Sequence, residues 1–135
     1  PMFVPYGRIP SLDAYRALQA LSGQVVVEGV GGWLAPMADD LDQSALVKAL
    51  DLPVILVVGL RLGCLNHALL TVEAIRARGL RQAGWIANQV DAKMACVEEN
   101  VDTLHTRIAA PLLGFVPHQA TPDAARIAAL LELPA

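Results

Sequence analysis

Gln24-Val25-Val26-Val27-Glu28-Gly29-Val30-Gly31-Gly32-Trp33 sets the frame for the chain: an apolar run ends in a carboxylate, and three glycines follow within four residues. An unbroken apolar run reads as a buried parallel strand, because such strands are covered on both faces and need no polar alternation. Glu28 then falls at the strand's carboxyl end, the edge at which open α/β sheets take their ligands. Glycines there let the backbone turn and approach a ligand with no Cβ between. Backbone amides beside one carboxylate suit a metal-bound phosphate, the amides facing the anion and the carboxylate the cation. The same residues also suit a glycine-rich turn carrying a solvated Glu, because short glycine motifs are weakly specific.

Two further segments repeat the pattern. Val54-Ile55-Leu56-Val57-Val58 is a second apolar strand, and Gly59 to Cys64 lead from it into a helix over Leu65 to Arg78. Gly84 to Val90 form a third strand whose polar end holds Asn88 and Gln89. The start of the helix after the second strand offers free N–H groups and a positive dipole end to a carboxylate or phosphate. Gly63 keeps that approach open, and Asn66 or Asn88 can present an amide to a base or a carboxylate. Gly63 as a plain turn residue and Asn66 as a poor cap are the alternative.

The rest of the chain alternates in the same way. Ser11 caps a helix from Leu12 to Leu21, and Asp39 or Asp40 caps another to Leu50 with Leu41, Ala45 and Leu46 inward. Met94, Val97, Val101, Leu104 and Ile108 recur at three- and four-residue steps on a further helix. Pro111 to Pro117 give a short last strand, and Pro122 opens a closing helix to Leu131. The pattern predicts one α/β domain over residues 1–135, a parallel sheet with helices on both faces.

Composition narrows the function. Hydrophobic residues make up 55% of the 135 and charged residues 17%, yet no run reaches the roughly 18 apolar residues of a membrane span. A net charge of −3 with scattered Lys and Arg argues against nucleic-acid or anionic-membrane surfaces. Cys64 and Cys96 lack CxxC spacing, and no secretory signal is read, which points to the reducing cytoplasm. His67, His105 and His118 have no metal-ligand spacing and read as helix-surface or loop residues. Neither cysteine has a nearby base, and no Gly-x-Ser-x-Gly elbow occurs. Trp33 and Trp85 read as packing residues. The loop Gly-x-x-x-x-Gly-Lys-Ser/Thr is absent, since the only lysines, Lys48 and Lys93, do not follow glycine.

The motifs Val27 to Trp33, Leu52 to Gly59, Leu62 to Ala68, Gly84 to Asn88 and Ala110 to Gly114 together resemble the dethiobiotin synthetase family, ATP-dependent ligases of biotin biosynthesis. They run in the family's order from about Gly7 to about Asp123. The resemblance implies a partial P-loop NTPase fold of the MinD-like kind with its first strand and phosphate loop missing. It also implies a homodimer that forms a cyclic urea from 7,8-diaminopelargonate and CO2 with ATP and Mg2+. A carbamate on the diamine takes the γ-phosphoryl group and is then attacked by the second amine.

By position, Glu28 resembles the Mg2+ ligand, with Gly29, Val30 and Gly31 beside the phosphates. Asn88 resembles the residue whose amide reads adenine. Gln89 stands beside it as a second nucleotide-binding position, where an Asp is common in the family. Val116, Pro117 and His118 resemble the loop packed on the base. Gly63, Cys64, Leu65 and Asn66 resemble the helix start that receives the substrate carboxylate across the dimer interface. The family's catalytic lysine has no counterpart here, so this chain alone is expected to be inactive. In the family the missing strand lies between those equivalent to 24–28 and 53–58, so its removal would bare two apolar edges.

Two other readings remain at this level. One is a non-catalytic truncated homologue acting as a dimerisation or small-carboxylate-binding module. The other is a different ATP-dependent amide or carbamate ligase of the same superfamily.

Overall fold

The computed structural model of the chain describes residues 13, 16–17, 20, 25–29, 31–38 and 41–134. Its contacts divide at Leu52/Pro53 into two units, and each is described by itself.

In the first unit, Asp13, Arg16 and Ala17 are helical, and the Ala20 N–H donates to the Arg16 carbonyl at 3.2 Å. Ser11, the expected cap, lies outside the described residues. The run Val25–Gly29 departs from the expectation: these residues form no strand, and Val25 and Val26 are 39% and 82% exposed. A parallel strand exists only through ladder bonds to its neighbours, and the described parallel sheet contains only the strands Val54–Leu60, Gln82–Gln89 and Leu112–Val116. Apolar content could not supply that missing partner.

A short hairpin that the sequence did not announce follows. β1 (Pro36–Ala38) pairs antiparallel with β2 (Leu41–Asp42). Helix α1 spans Gln43–Leu50, and its cap is Asp42 rather than Asp39 or Asp40. The Asp42 carboxylate accepts from the Ala45 N–H at 2.7 Å and from the fully buried Ser44 hydroxyl at 2.6 Å. The buried face is Ser44, Leu46 and Leu50; Ala45, expected inward, is only partly buried. Asp51 ends the helix in the left-handed region, and Pro53 follows before the next strand.

The second unit is the layered α/β structure the alternation predicts. β3 (Val54–Leu60), β4 (Gln82–Gln89) and β5 (Leu112–Val116) are parallel in the order β3-β4-β5. Helix α2 (Cys64–Ala77) connects β3 to β4, and α3 (Val97–Arg107) connects β4 to β5. Val58, Leu60, Val72, Trp85 and Leu104 meet in the main core between the sheet and these helices. Trp85, Leu60 and Leu104 are fully buried, each contributing about 1.5–3 kcal/mol relative to exposure.

Helix α4 (Ala124–Ala128) lies over the other face, where Ile127 and Leu131 pack on Ile86, Leu113 and Val116. Its cap is Asp123, which accepts from the Ala125 and Arg126 N–H groups, so the helix begins after Pro122 instead of on it. One strand of the three is covered unevenly. Leu56, Val58 and Leu60 face the main core, but Ile55 and Val57 stay 37% and 56% exposed, so β3 is not the doubly covered strand its composition suggests.

Candidate functional site

Parallel pairing alone places the selected residues of the second unit at one edge. Gly59 lies opposite Asn88 and Leu60 opposite Gln89, while Asn88 lies opposite Val116 on its other side. The carboxyl ends of three neighbouring strands therefore share one level, with Pro117 and His118 following directly. A Cβ at Gly59 would meet Val90 at 3.5 Å, an ordinary van der Waals contact, so packing does not require glycine there.

Asn88 is half-buried at the end of the central strand, and its carboxamide makes no hydrogen bond among the described residues. That leaves both of its donors and its acceptor to a ligand. Gln89 differs. Its Nε2 donates to the Asp91 carbonyl at 3.2 Å, and its Oε1 accepts from the His118 N–H at 3.4 Å. Val116 is buried in the smaller cluster, so it can offer a ligand only its backbone. Pro117 and His118 are exposed.

The start of α2 adjoins the end of β3. Gly63 caps it in the left-handed region, at φ 91°, with no side-chain hydrogen bond to the first turn. A Cβ would strain that turn; the Cys64 N–H donates to the Arg61 carbonyl at 3.0 Å, which leaves the N–H groups of Leu65 and Asn66 to an anion. Within the set Gly63, Cys64, Leu65 and Asn66, the side chains divide. Cys64 is 3% exposed with Sγ 4.0 Å from Asn100 Oδ1, and Leu65 packs on the core. Only Asn66 presents its side chain outward, so Leu65 could serve a ligand only through the backbone, and the Cys64 N–H is already taken by the Arg61 carbonyl.

Glu28, Gly29 and Gly31 belong to the first unit, and Val30 lies outside the described residues. Glu28 is exposed in an irregular segment. Gly31, at φ 87°, needs to be glycine. The space a Cβ would take at Gly29 is filled by the Gln43 carboxamide. Gln43 beside that glycine carried no sequence signal, because the two are brought together only by the turn and hairpin. Among the described residues no three His, Cys, Asp or Glu side chains are grouped to hold a metal. Trp85 is core, Cys64 and Cys96 are free thiols, and His67, His105 and His118 are exposed. No described helix is long and apolar enough to cross a membrane.

A parallel α/β sheet whose carboxyl edge gathers polar strand ends defines a class of nucleotide-associated folds. The match of residues 7–126 to the AAA domain family agrees, and the chain belongs to that family, which is of the P-loop NTPase type.

Within it, the chain is similar to proteins named ATP-dependent dethiobiotin synthetase. It is 57% identical over 121 residues to that of Aromatoleum aromaticum, covering 90% of this chain and 54% of the relative. With the Xanthomonas oryzae pv. oryzae protein it shares 54% over 125 residues, 93% of this chain and 56% of the relative. With the Ralstonia nicotianae protein it shares 58% over 120 residues, 89% and 52%. The chain spans about half the length of the curated relatives it matches.

Proposed function

We propose that this chain is the carboxyl-terminal part of an ATP-dependent dethiobiotin synthetase, which closes a cyclic urea from 7,8-diaminopelargonate and CO2. The observation that carries the reading is 57% identity, over nine-tenths of the chain, to a protein of that name. The shared level of Asn88, Gln89 and Val116 supports it.

In this reading the unpartnered Asn88 carboxamide reads adenine, and the backbone of Val116 with Pro117 and His118 flanks the base. Gly29, Val30 and Gly31 stand beside the phosphates. The amides of Gly63 and Leu65, with the Asn66 side chain, receive the substrate carboxylate, and Cys64, whose N–H donates to the Arg61 carbonyl, fixes the turn between them. Leu62 and Leu70, 97% and 56% exposed on either side of Asn66 in sequence, support a homodimer contact there. Cytoplasmic location goes with the free thiols.

Mg2+ belongs to the proposal through Glu28. A lone exposed carboxylate fits an ion that is held by one or two carboxylates together with phosphate and water. The group would supply charge neutralisation to the phosphates, and Glu28 would be its ligand from this chain.

The test is dethiobiotin formation by the purified complete protein from diaminopelargonate and bicarbonate. Product should depend on ATP and Mg2+ and match released phosphate one for one. A complete protein that binds the diamine but forms no product would favour the non-catalytic module. Turnover of a different amine would favour another ligase.

A further inference from the structure

Three hydrogen bonds run across the carboxyl edge of the sheet in one line. The Asp91 N–H donates to the Leu60 carbonyl at the end of β3, at 3.4 Å. The Asp91 carbonyl accepts from Gln89 Nε2 at 3.2 Å, and Gln89 Oε1 accepts from the His118 N–H at 3.4 Å. Gln89 thus bridges the loop after β4 to the loop after β5, across 29 residues of sequence. One partner is a carbonyl and the other an N–H, so only a side chain with both a donor and an acceptor closes the line. Glu lacks the donor, Lys the acceptor and Leu both. Consecutive strand side chains leave opposite faces of a sheet, so Gln89 is not placed to duplicate the contact of Asn88.

We infer that Gln89 is a positioning residue: its carboxamide straps the loop bearing Pro117 and His118 to the end of β3 and thereby sets the affinity for nucleotide, without contacting the nucleotide itself. The ligand's identity rests on the function proposed above; the strap does not. Each bond is individually weak, but Pro117 and His118 are exposed, so losing the Gln89 bond loosens the backbone at His118.

Gln89→Leu and Gln89→Glu separate the two bonds in the complete protein. Without nucleotide, amide exchange at His118 should quicken about fivefold in Gln89→Leu, the loss of one neutral hydrogen bond. It should also quicken in Gln89→Glu, by less than in Gln89→Leu, because Glu keeps the acceptor for the His118 N–H but loses the anchor on the Asp91 carbonyl. With saturating diamine, the KM for ATP should rise about five- to tenfold in Gln89→Leu, while kcat changes less than about twofold. Unchanged exchange at His118 in Gln89→Leu would remove the strap. Faster exchange with an unchanged KM would remove its bearing on nucleotide. If the wild-type protein uses no ATP, the nucleotide half falls with the proposed function, and the exchange result alone decides the strap.

Discussion

Asn88 and Gln89 are neighbours with the same functional group, and the fold treats them differently: the Gln89 carboxamide bonds Asp91 and His118, while that of Asn88 makes no hydrogen bond among the described residues. Their polar ending to a strand was legible from the apolar run before them. Which amide stays free was not, because that depends on Asp91 and His118, residues with no periodic signal. In the function proposed above, the unpartnered carboxamide of Asn88 is the one that meets the ligand. Asn88→Ala in the complete protein should raise the KM for ATP about three- to tenfold, the range of one or two neutral hydrogen bonds, with little effect on the KM for diamine. Equal increases in both would point to a damaged edge instead of a lost base contact.

Gly84 makes a stability prediction at the same scale. A Cβ there would lie 2.5 Å from Leu113 Cγ, in the layer shared by β4 and β5. Gly84→Ala should cost about 1–3 kcal/mol by overpacking, read as a lower urea midpoint at unchanged slope.

At the scale of elements, the long periodic segments were readable and the short contextual ones were not. The step from Val97 through Leu104 fixes α3, and the apolar blocks fix β3 and β5, because the driving force for burial grows with the apolar area removed from water, whichever element covers it. Val25–Gly29 carries the same composition and forms no strand, since composition states a capacity to be buried and a ladder must still be offered. Helix starts were readable to within a few residues. α1 begins behind Asp42 because that carboxylate reaches both the Ala45 N–H and the Ser44 hydroxyl. Asp42→Ala should therefore lose a cap and strand a hydroxyl of zero exposure, about 1–2 kcal/mol together. Faster amide exchange confined to the first turn of α1 would accompany it. Exchange that quickens equally at Leu50 would show that the cap is not the cause.

Across the chain as a whole, the two edges of the parallel sheet are treated differently. Beside β5 the chain's tail closes in: the Glu132 N–H donates to the Leu113 carbonyl at 2.8 Å, and Gly114 leaves room for the Leu130 carbonyl. Beside β3 no strand pairs among the described residues, and Ile55 and Val57 remain exposed on its uncovered face. A seven-residue strand with an open edge and an apolar face invites pairing with another chain. The isolated 135-residue chain should therefore self-associate as concentration rises, seen as a growing weight-average mass in sedimentation. Val57→Lys should suppress that association, because a charge on the exposed face must be desolvated before a second chain can pack there. The same substitution in the complete protein should cost about 1–3 kcal/mol if that protein covers the face. Opposite signs in the two settings identify the face as one the complete protein covers. An isolated chain that stays monomeric, together with a complete protein indifferent to Lys at that position, would mean that the face is solvated in both.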